Sequence, residues 1–223
     1  MSTSYSIAME IAGATAMWMR PDTGDCPVSY PAPTYSAVKA IFESVLWGPA
    51  VEIIPTKVEL CMPVQYHSYT TNYGGPLRSA KSLKDGSSYQ LLATVLTDVC
   101  YKLYAMVRPN SHKDRLPESA HKWDAKTTSP GHAYQDMFNR RLRLGQCYSI
   151  PALGWREFTP SFFGPLREGT KVLSSMPDVI IPSMLREVFG AGYNAPVSYV
   201  YDQNVTIVAG CLAYTDRGEH HAE

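Results

Sequence analysis

Three stretches of the chain alternate apolar and polar positions with the period of two that is typical of a half-buried strand. The first covers residues 5–16, the second lies within residues 50–63 and is interrupted at Pro55, and the third covers residues 97–107. The third pattern is the cleanest, because every second position from Val99 to Val107 is apolar. Shorter strands are predicted near residues 155–163, 178–183, 197–202 and 205–214.

Two other stretches repeat apolar residues with the period of an α-helix. In residues 34–47, Thr34 is a suitable N-cap and Gly48-Pro49 ends the pattern. The second stretch covers residues 132–144, and Gly145 is placed to cap its C-terminus. The residues that we expect to be buried are Val38, Ile41, Phe42 and Val45 in the first helix and Met137, Phe138, Leu142 and Leu144 in the second.

The predicted order of elements is β-α-β, a long loop, and β-α-β again. This is the split βαβ or ferredoxin-like arrangement, so the sequence predicts an α+β fold. Folds of this type often present an open face of the sheet to RNA. The fold alone does not define a function.

The long loop of this arrangement is predicted for residues 64–88, which contain almost no aliphatic side chains. Tyrosines and cations are interleaved there, and such a composition favours contact with nucleic acid. The alternative is a surface insertion without a ligand, since long loops in compact domains are either functional or disordered. The residues that carry this interpretation are Tyr66, Tyr69, Tyr73, Arg78, Lys81 and Lys84.

Composition limits the class of protein. The chain has 223 residues, 45% of them hydrophobic, and a formal net charge of zero, whereas nucleic-acid-binding domains are often strongly basic. Lys and Arg nevertheless cluster in residues 78–84, 113–126 and 140–143. The five cysteines are scattered, which favours free thiols over a disulfide framework. No stretch approaches the roughly 18 apolar residues of a membrane span, and the N-terminus lacks a signal-peptide pattern, so we expect a cytoplasmic protein with no membrane partner.

Two groups of residues are candidates for chemistry. His132 follows Ser129-Pro130-Gly131 at the start of the second helix and is a candidate general acid or base on RNA, with a surface histidine as the alternative. Arg140, Arg141 and Arg143 either neutralise phosphates or form a solvated helix face. Motifs for a P-loop, a serine nucleophile or a zinc protease are missing from the sequence, as are carboxylate pairs at metal-ligand spacing, so we expect neither a cofactor nor a metal.

Four stretches together resemble one family. They are YPAPTYSAVKAIFESVLWGPAV at 30–51, the segment at 57–65, LTDVCYKLYAMV at 96–107 and GHAYQDMFNRRLRLGQCYSIPALGWREF at 131–158. They are similar to CRISPR-associated (Cas) family five of the RAMP superfamily, in its type I-C or Dvulg subtype. The resemblance covers about residues 5–165. Its most specific parts are the helix that ends in Trp47-x-Pro49 and the later GQ…LG-x-REF pattern.

The resemblance implies a ferredoxin-like, RRM- or RAMP-like RNA-binding domain in residues 1–165, with residues 64–88 as a thumb, and a smaller C-terminal antiparallel β-sheet in residues 166–223. It also implies binding of the 5′ handle of CRISPR RNA (crRNA) within the Cascade surveillance complex. The protein partners would be the Cascade backbone and large subunits, and target DNA would be reached only through the complex. In this subtype the protein also cuts precursor RNA (pre-crRNA) without a metal.

The family pattern for this cleavage has a Tyr before the Trp of the first helix and a Lys-His pair at the start of the second. These positions fall on Leu46, Gly131 and His132, so His132 alone matches. One hypothesis is cleavage by His132 with a replacement partner, for which the candidates are His121, Lys122, Lys126 and Tyr134.

Two further hypotheses remain open: a catalytically inactive subunit that binds the handle, and an interaction module that contacts RNA little, in line with the net charge of zero. The predicted phosphate contacts are Arg78, Lys81, Lys84, Lys122, Lys126, Arg140, Arg141 and Arg143, and the predicted stacking residues are Trp47, Tyr69 and Tyr73.

Overall fold

The structure of the protein, a computed structural model, describes residues 5–73, 79–85, 89–110, 117–188 and 197–215. The elements in chain order are β1 (Tyr5–Ala16), α1 (Tyr35–Val45), β2 (Val51–Leu60), β3 (Tyr66–Tyr73), α2 (Ala80–Lys84), β4 (Tyr89–Pro109), α3 (Glu118–Lys126), α4 (Pro130–Arg143), β5 (Phe162–Gly164), β6 (Val179–Glu187), β7 (Val200–Val208) and β8 (Cys211–Ala213).

These strands form one eight-stranded antiparallel sheet. Its strand order is β5-β1-β4-β2-β8-β7-β6, and β3 pairs with β4 beyond the end of β2. The central strand, β4, pairs with β1 along nearly its whole inner half, from Tyr5 opposite Val107 to Ala16 opposite Leu96. The α+β class that the sequence predicts is therefore confirmed, and the C-terminal antiparallel strands that the resemblance implies continue the same sheet through β8 and β2.

Helix α1 forms where its pattern predicts. The Thr34 hydroxyl accepts a hydrogen bond from the Ala37 backbone N–H at 3.2 Å, as an N-cap does. The predicted stripe of Val38, Ile41, Phe42 and Val45 is buried, with exposures of 3% or less. Burial of this face against the sheet supplies most of the stability of such a short helix.

Helix α4 packs beside α1 on the same face of the sheet. Phe138 and Leu142 are buried as predicted, and the rings of Phe42 and Phe138 lie 5.6 Å apart. Gly145 has a φ of 64° just past the helix, the left-handed conformation that favours glycine at a C-terminus. The prediction that Met137 and Leu144 are buried is wrong, since they are 38% and 63% exposed. Tyr134 takes the core position instead, with 1% exposure.

The other face of the sheet is partly covered by the segment between β5 and β6. Glu10 points to this face and is fully buried there, although its neighbours Met9 and Ile11 face the helices. Its carboxylate accepts hydrogen bonds from the Arg167 backbone N–H at 2.8 Å and the Thr170 hydroxyl at 2.8 Å. Lys102 Nζ donates to the Thr170 carbonyl at 2.6 Å. The sheet face is therefore closed at this place rather than open.

Residues 64–88 differ from the predicted loop. Residues 66–73 form β3, which pairs with the outer half of β4 from Tyr66 opposite Leu96 to Tyr73 opposite Tyr89. Threonine and tyrosine favour strands, and the backbone pairing with β4 stabilises a strand that few aliphatic side chains mark. The central strand consequently extends over Tyr89–Pro109 rather than 97–107.

Two other predictions change. Residues 118–126, predicted as part of a flexible loop, form α3, whose only buried residue is Ala120. Helix α3 carries an exposed ion pair, in which Nζ of Lys122 lies 2.7 Å from Oε1 of Glu118, four residues or about one turn earlier. The strand predicted near 155–163 is reduced to Phe162–Gly164, which pairs with β1. Strand β6 begins close to the predicted 178–183, but the predicted strands 197–202 and 205–214 are divided differently, because β7 continues through Val200–Val208 and a turn separates it from β8 (Cys211–Ala213).

Candidate functional site

His132 lies in the first turn of α4, next to the start of β1. Its side chain is 58% exposed, and its ring is 5.6 Å from that of Tyr5 in an edge-to-face arrangement. Nδ1 is 3.5 Å from Oδ2 of Asp136, one helical turn further along. An Nδ1–H directed at this carboxylate leaves Nε2 as the atom that accepts a proton. The position of His132 is therefore suited to proton transfer with a ligand in solvent.

The start of β1 is attached to the start of α4 by polar contacts. The hydroxyls of Tyr5 and Ser129 are 2.9 Å apart. Ser129 is the N-cap residue of α4, yet its side chain makes no hydrogen bond to the helix backbone, because the hydroxyl is directed at Tyr5. Gln135 Nε2 donates to the Ser6 carbonyl at 2.5 Å. Tyr5, Ser129 and His132 therefore share one surface, which we call the His132 site.

The two positions at which the family pattern is not matched are both buried. Leu46 is 7% exposed, and its carbonyl accepts a hydrogen bond from the Tyr134 hydroxyl. Burial raises the pKa of Tyr134, which is 1% exposed. The hypothesis that Tyr134 supplies a replacement proton donor is therefore wrong, because its hydroxyl is used inside the fold. Gly131 is buried beneath the ring of Tyr5.

A second surface lies along α4 toward its C-terminus. Arg140 and Arg143 are exposed, and neither forms an ion pair within the described part of the chain. His132 and Arg143 are eleven residues apart, which corresponds to about 16 Å along a helix axis. The site residues predicted on this helix thus form two groups at its opposite ends.

Two exposed aromatic residues lie near the end of α1, which the last turn of α4 contacts. Trp47 is 59% and Tyr148 80% exposed. Arg141 Nη1 donates to the Val45 carbonyl at 3.0 Å, and the Tyr148 backbone N–H donates to the same carbonyl at 3.2 Å. The end of α1, the segment after α4 and the last turn of α4 therefore meet at Val45. We call Trp47, Arg140, Arg143 and Tyr148 the aromatic–arginine surface.

The remaining predicted contacts are spread over other elements. Arg141 is half-buried and stabilises the end of α1, so its guanidinium is partly used by the fold. Lys81 and Lys84 are exposed on α2, and Lys122 and Lys126 are exposed on α3. His121 is exposed on α3 as well, and all three α3 residues sit on a helix rather than on the flexible loop that their proposed movement toward His132 assumed. Arg78 lies outside the described residues.

Of the predicted stacking residues, Trp47 alone is an exposed ring in the described structure. The ring of Tyr69 lies 5.4 Å from that of Phe158 and 6.3 Å from that of Trp155, and it is half-buried. Tyr73 ends β3, and its side chain lies outside the described part of the chain. The RNA roles of all these residues stay predictions.

Sequence reasoning did not identify Tyr5 or Tyr148 as site residues. Tyr5 is the first apolar position of an alternating strand, and its pattern predicts a core residue. Ser129, which Tyr5 contacts, lies 124 positions later, and nothing in the local sequence connects the two residues. Tyr148 follows Gly145 in a polar segment, and its backbone contacts with Ser44 and Val45 place it at the end of α1.

Metal and membrane features can be stated only for the described ranges. Within residues 5–73, 79–85, 89–110, 117–188 and 197–215, no three His, Cys, Asp or Glu side chains are grouped as metal ligands. None of the helices in these ranges combines the length and the apolar character that a membrane crossing requires.

Two solved structures share the fold of this chain. One crystal structure of a CRISPR-associated protein matches 98% of this chain and 96% of its own with a TM-score of 0.69 and 16% sequence identity. A functionally uncharacterized protein from Streptococcus mutans matches 98% of this chain and 97% of its own, with a TM-score of 0.65 and 17% identity. At these identities the likeness shows the fold alone.

The family follows from the sequence comparison. The family model for the CRISPR-associated protein Cas5d matches residues 6–188. The chain therefore belongs to the Cas5d family, which implies a type I-C system and confirms the family named from the four resembling stretches.

Two curated relatives are named as CRISPR pre-crRNA endoribonucleases Cas5d. The one from Thermus thermophilus is 28% identical over 71% of this chain and 63% of its own length. The one from Mannheimia succiniciproducens is 30% identical over 70% of this chain and 71% of its own length. The match to the Thermus relative thus spans less than two thirds of that protein.

Proposed function

We propose that this protein binds the 5′ handle of crRNA as a subunit of a type I-C Cascade complex in the cytoplasm. Its protein partners are then the Cascade backbone and large subunits, and it meets target DNA only through the complex. Family membership supports this assignment. So does the strand order β5-β1-β4-β2, which we interpret as a ferredoxin-like RNA-binding unit extended by β6, β7 and β8.

The observation that carries this proposal is the aromatic–arginine surface. Arg140 and Arg143 present positive charge that no acid in the described part of the chain neutralises. Trp47 and Tyr148 present exposed aromatic rings where the end of α1 meets the last turn of α4. Cations that follow a phosphate backbone and rings on which bases stack are the two components of single-stranded RNA binding. Both components are exposed on the C-terminal half of α4 and the segments that flank it, although the net charge of the chain is zero.

Salt dependence tests the handle-binding proposal. In a titration of repeat RNA at several salt concentrations, Arg140→Ala and Arg143→Ala should each lower the slope of log K against log salt by about 0.7–1, because each removes one phosphate contact. Arg20→Ala is the matched control, since Arg20 is already paired with Asp22 at 2.7 Å and should leave the slope unchanged. Weak binding that is insensitive to salt in every variant would instead support an interaction module.

A second candidate function, metal-independent cleavage of pre-crRNA, is favoured by the His132 site. Nε2 of His132 takes the proton of a ribose 2′-OH, and the 2′-oxygen attacks the adjacent phosphorus. The bond between phosphorus and the 5′-oxygen breaks, and the 5′-oxygen takes a proton from water. The products are a 2′,3′-cyclic phosphate and a 5′-hydroxyl.

Incubation of repeat RNA with the purified protein in EDTA tests this candidate. We expect a cyclic-phosphate product from the wild type and a loss of about 10²–10⁴-fold in rate for His132→Ala, the usual contribution of a general acid or base. His67→Ala, which removes an exposed imidazole on β3, serves as the control and should cleave normally. Cleavage that stops in EDTA would exclude the mechanism, and RNA binding without any cleavage would leave a handle-binding subunit.

A further inference from the structure

We infer that the hydroxyl of Tyr5 contacts the RNA phosphate on which His132 acts. This inference rests on the proposed cleavage function and names a second group of the same site. At Gly131 an added side chain would meet the ring of Tyr5. A Cβ at this position would lie 2.7 Å from Cδ2 and 3.1 Å from Cε2 of Tyr5.

Such distances are too short for carbon atoms, so any side chain at 131 would have to displace the ring of Tyr5. The space toward which a residue at 131 projects is therefore occupied by this ring. Tyr5 and Gly131 form a matched pair: the glycine lets β1 and α4 approach, and the tyrosine provides the side chain on this surface next to His132. The edge-to-face contact with the imidazole, at 5.6 Å between ring centroids, fixes the position of both rings.

The hydroxyl of Tyr5 has hydrogen-bonding capacity left for a ligand. Tyr5 and Ser129 contribute two hydroxyl hydrogens, and their mutual contact at 2.9 Å uses one. Among the described residues neither hydroxyl has another partner, so when the Ser129 hydroxyl donates to the Tyr5 oxygen, the O–H of Tyr5 remains available to donate to a ligand. A neutral O–H next to an imidazole suits a phosphate oxygen, which accepts hydrogen bonds and gains negative charge during attack.

The surrounding charges favour this arrangement. Asp136 faces Nδ1 of His132, on the side opposite Nε2, and its carboxylate is 67% exposed. The other side chain that joins α4 to β1 at this end, Gln135, is neutral and directed at the Ser6 carbonyl. In this arrangement the phosphate binds between Nε2 of His132 and the hydroxyls of Tyr5 and Ser129. Tyr5 transfers no proton in this step: it donates a hydrogen bond to a non-bridging oxygen while His132 takes the 2′-OH proton.

The test compares cleavage with binding in the full-length protein. Tyr5→Phe keeps the ring over Gly131 and removes only the hydroxyl. We expect single-turnover cleavage of repeat RNA in EDTA to fall about 10²-fold, as for the loss of one donor to a developing oxyanion. The Kd for the same RNA with a single 2′-deoxy substitution at the cleaved nucleotide should stay within about threefold, because this loss belongs to the transition state.

Two further variants separate contact from folding. Tyr199→Phe removes an exposed tyrosine hydroxyl near β7 and should cleave as the wild type does. Gly131→Ala should lower cleavage because its Cβ displaces the Tyr5 ring, and it should cause no additional loss in a Tyr5→Ala background. Thermal unfolding of each variant shows whether the fold is retained.

The outcomes distinguish this inference from the proposed functions. Normal cleavage by Tyr5→Phe, or an equal loss in Tyr199→Phe, overturns the inference and leaves cleavage by His132 intact. A wild type that binds repeat RNA but never cleaves it overturns both the cleavage function and the role of Tyr5. The salt dependence of the arginine variants is measured separately, so handle binding stands or fails independently of either result.

Discussion

Glu10 shows how one residue fixes the covered face of the sheet. Its fully buried carboxylate accepts hydrogen bonds from Nε of Arg167 at 2.7 Å and from the Thr170 hydroxyl at 2.8 Å. The guanidinium of Arg167 in turn lies 3.9 Å over the ring of Phe162 in β5. Burial raises the pKa of Glu10, but the hydrogen bonds from Arg167 and Thr170 outweigh it, so the pKa is lower than the ordinary value.

This lowered pKa predicts how the stability depends on pH. A carboxylate with a lower pKa in the folded state stabilises the fold above its ordinary pKa of 4.5, and that stabilisation is lost as the pH falls through the folded-state value. We expect Glu10→Gln to lower the free energy of unfolding by about 1.5–3 kcal/mol at pH 7, as for a lost hydrogen bond to a charged group. Urea unfolding of both proteins from pH 7 to pH 3 measures the difference, which should shrink toward the acid end.

Glu59 is a second carboxylate with a lowered pKa, so the wild type must be compared with Glu10→Gln to isolate the contribution of Glu10. Burial raises the pKa of Glu59 too, and hydrogen bonds from Lys57 and Tyr104 lower it below the ordinary value. Both carboxylates therefore contribute to the loss of wild-type stability in acid. The difference in the free energy of unfolding between the wild type and Glu10→Gln reports Glu10 alone. A difference that stays constant down to pH 3 would contradict the assigned lowering of the Glu10 pKa.

At the residue scale, local sequence patterns predict where a residue lies in its element but not which distant residues it contacts. His132 was recognised from its place after Ser129-Pro130-Gly131, and it is exposed at the start of α4. Its neighbour Tyr5 precedes it by more than a hundred residues and was assigned to the core by its alternating strand. The contact depends on how β1 and α4 pack, and packing of distant segments leaves no local signal.

At the element scale, the strength of the apolar pattern decided which predictions held. Helix α1 has a buried stripe and a Thr34 cap, and the structure begins it at Tyr35. Strand β3 has neither, since its eight residues are mostly tyrosine and polar, and it exists through backbone pairing with β4. Helix α3 has one buried residue and is supported by its exposed ion pair. Elements that bury little apolar surface are the ones that a periodicity argument overlooks.

The hairpin of β3 and outer β4 also changes the interpretation of residues 64–88. It is a two-stranded extension beyond the end of β2, attached to the body where Tyr69 contacts Phe158 and Trp155. Lys81 and Lys84 lie on α2, between the two strands in sequence. A thumb remains our proposal for this region, in which residues 66–73 form a strand rather than a loop.

At the scale of the whole molecule, the C-terminal strands continue the sheet of the N-terminal region. Strand β8 pairs with β2, where Leu212 lies opposite Val58. Ile207 and Leu212 are fully buried in the same core cluster as residues of β1, α1 and β4. The division into residues 1–165 and 166–223 describes the order of the chain, but these contacts favour one cooperative folding unit.

Tryptophan fluorescence can test this cooperativity, because all four tryptophans, Trp18, Trp47, Trp123 and Trp155, precede residue 166. Leu212→Ala removes buried methyl groups from β8 and should lower the stability by about 2–5 kcal/mol. If residues 1–223 unfold as one unit, the urea midpoint seen by fluorescence shifts together with that seen by far-UV circular dichroism. Val208→Ala, at a 51% exposed position of β7, is the control and should shift neither. A fluorescence midpoint unmoved by Leu212→Ala would show that the N-terminal region unfolds independently of the C-terminal strands.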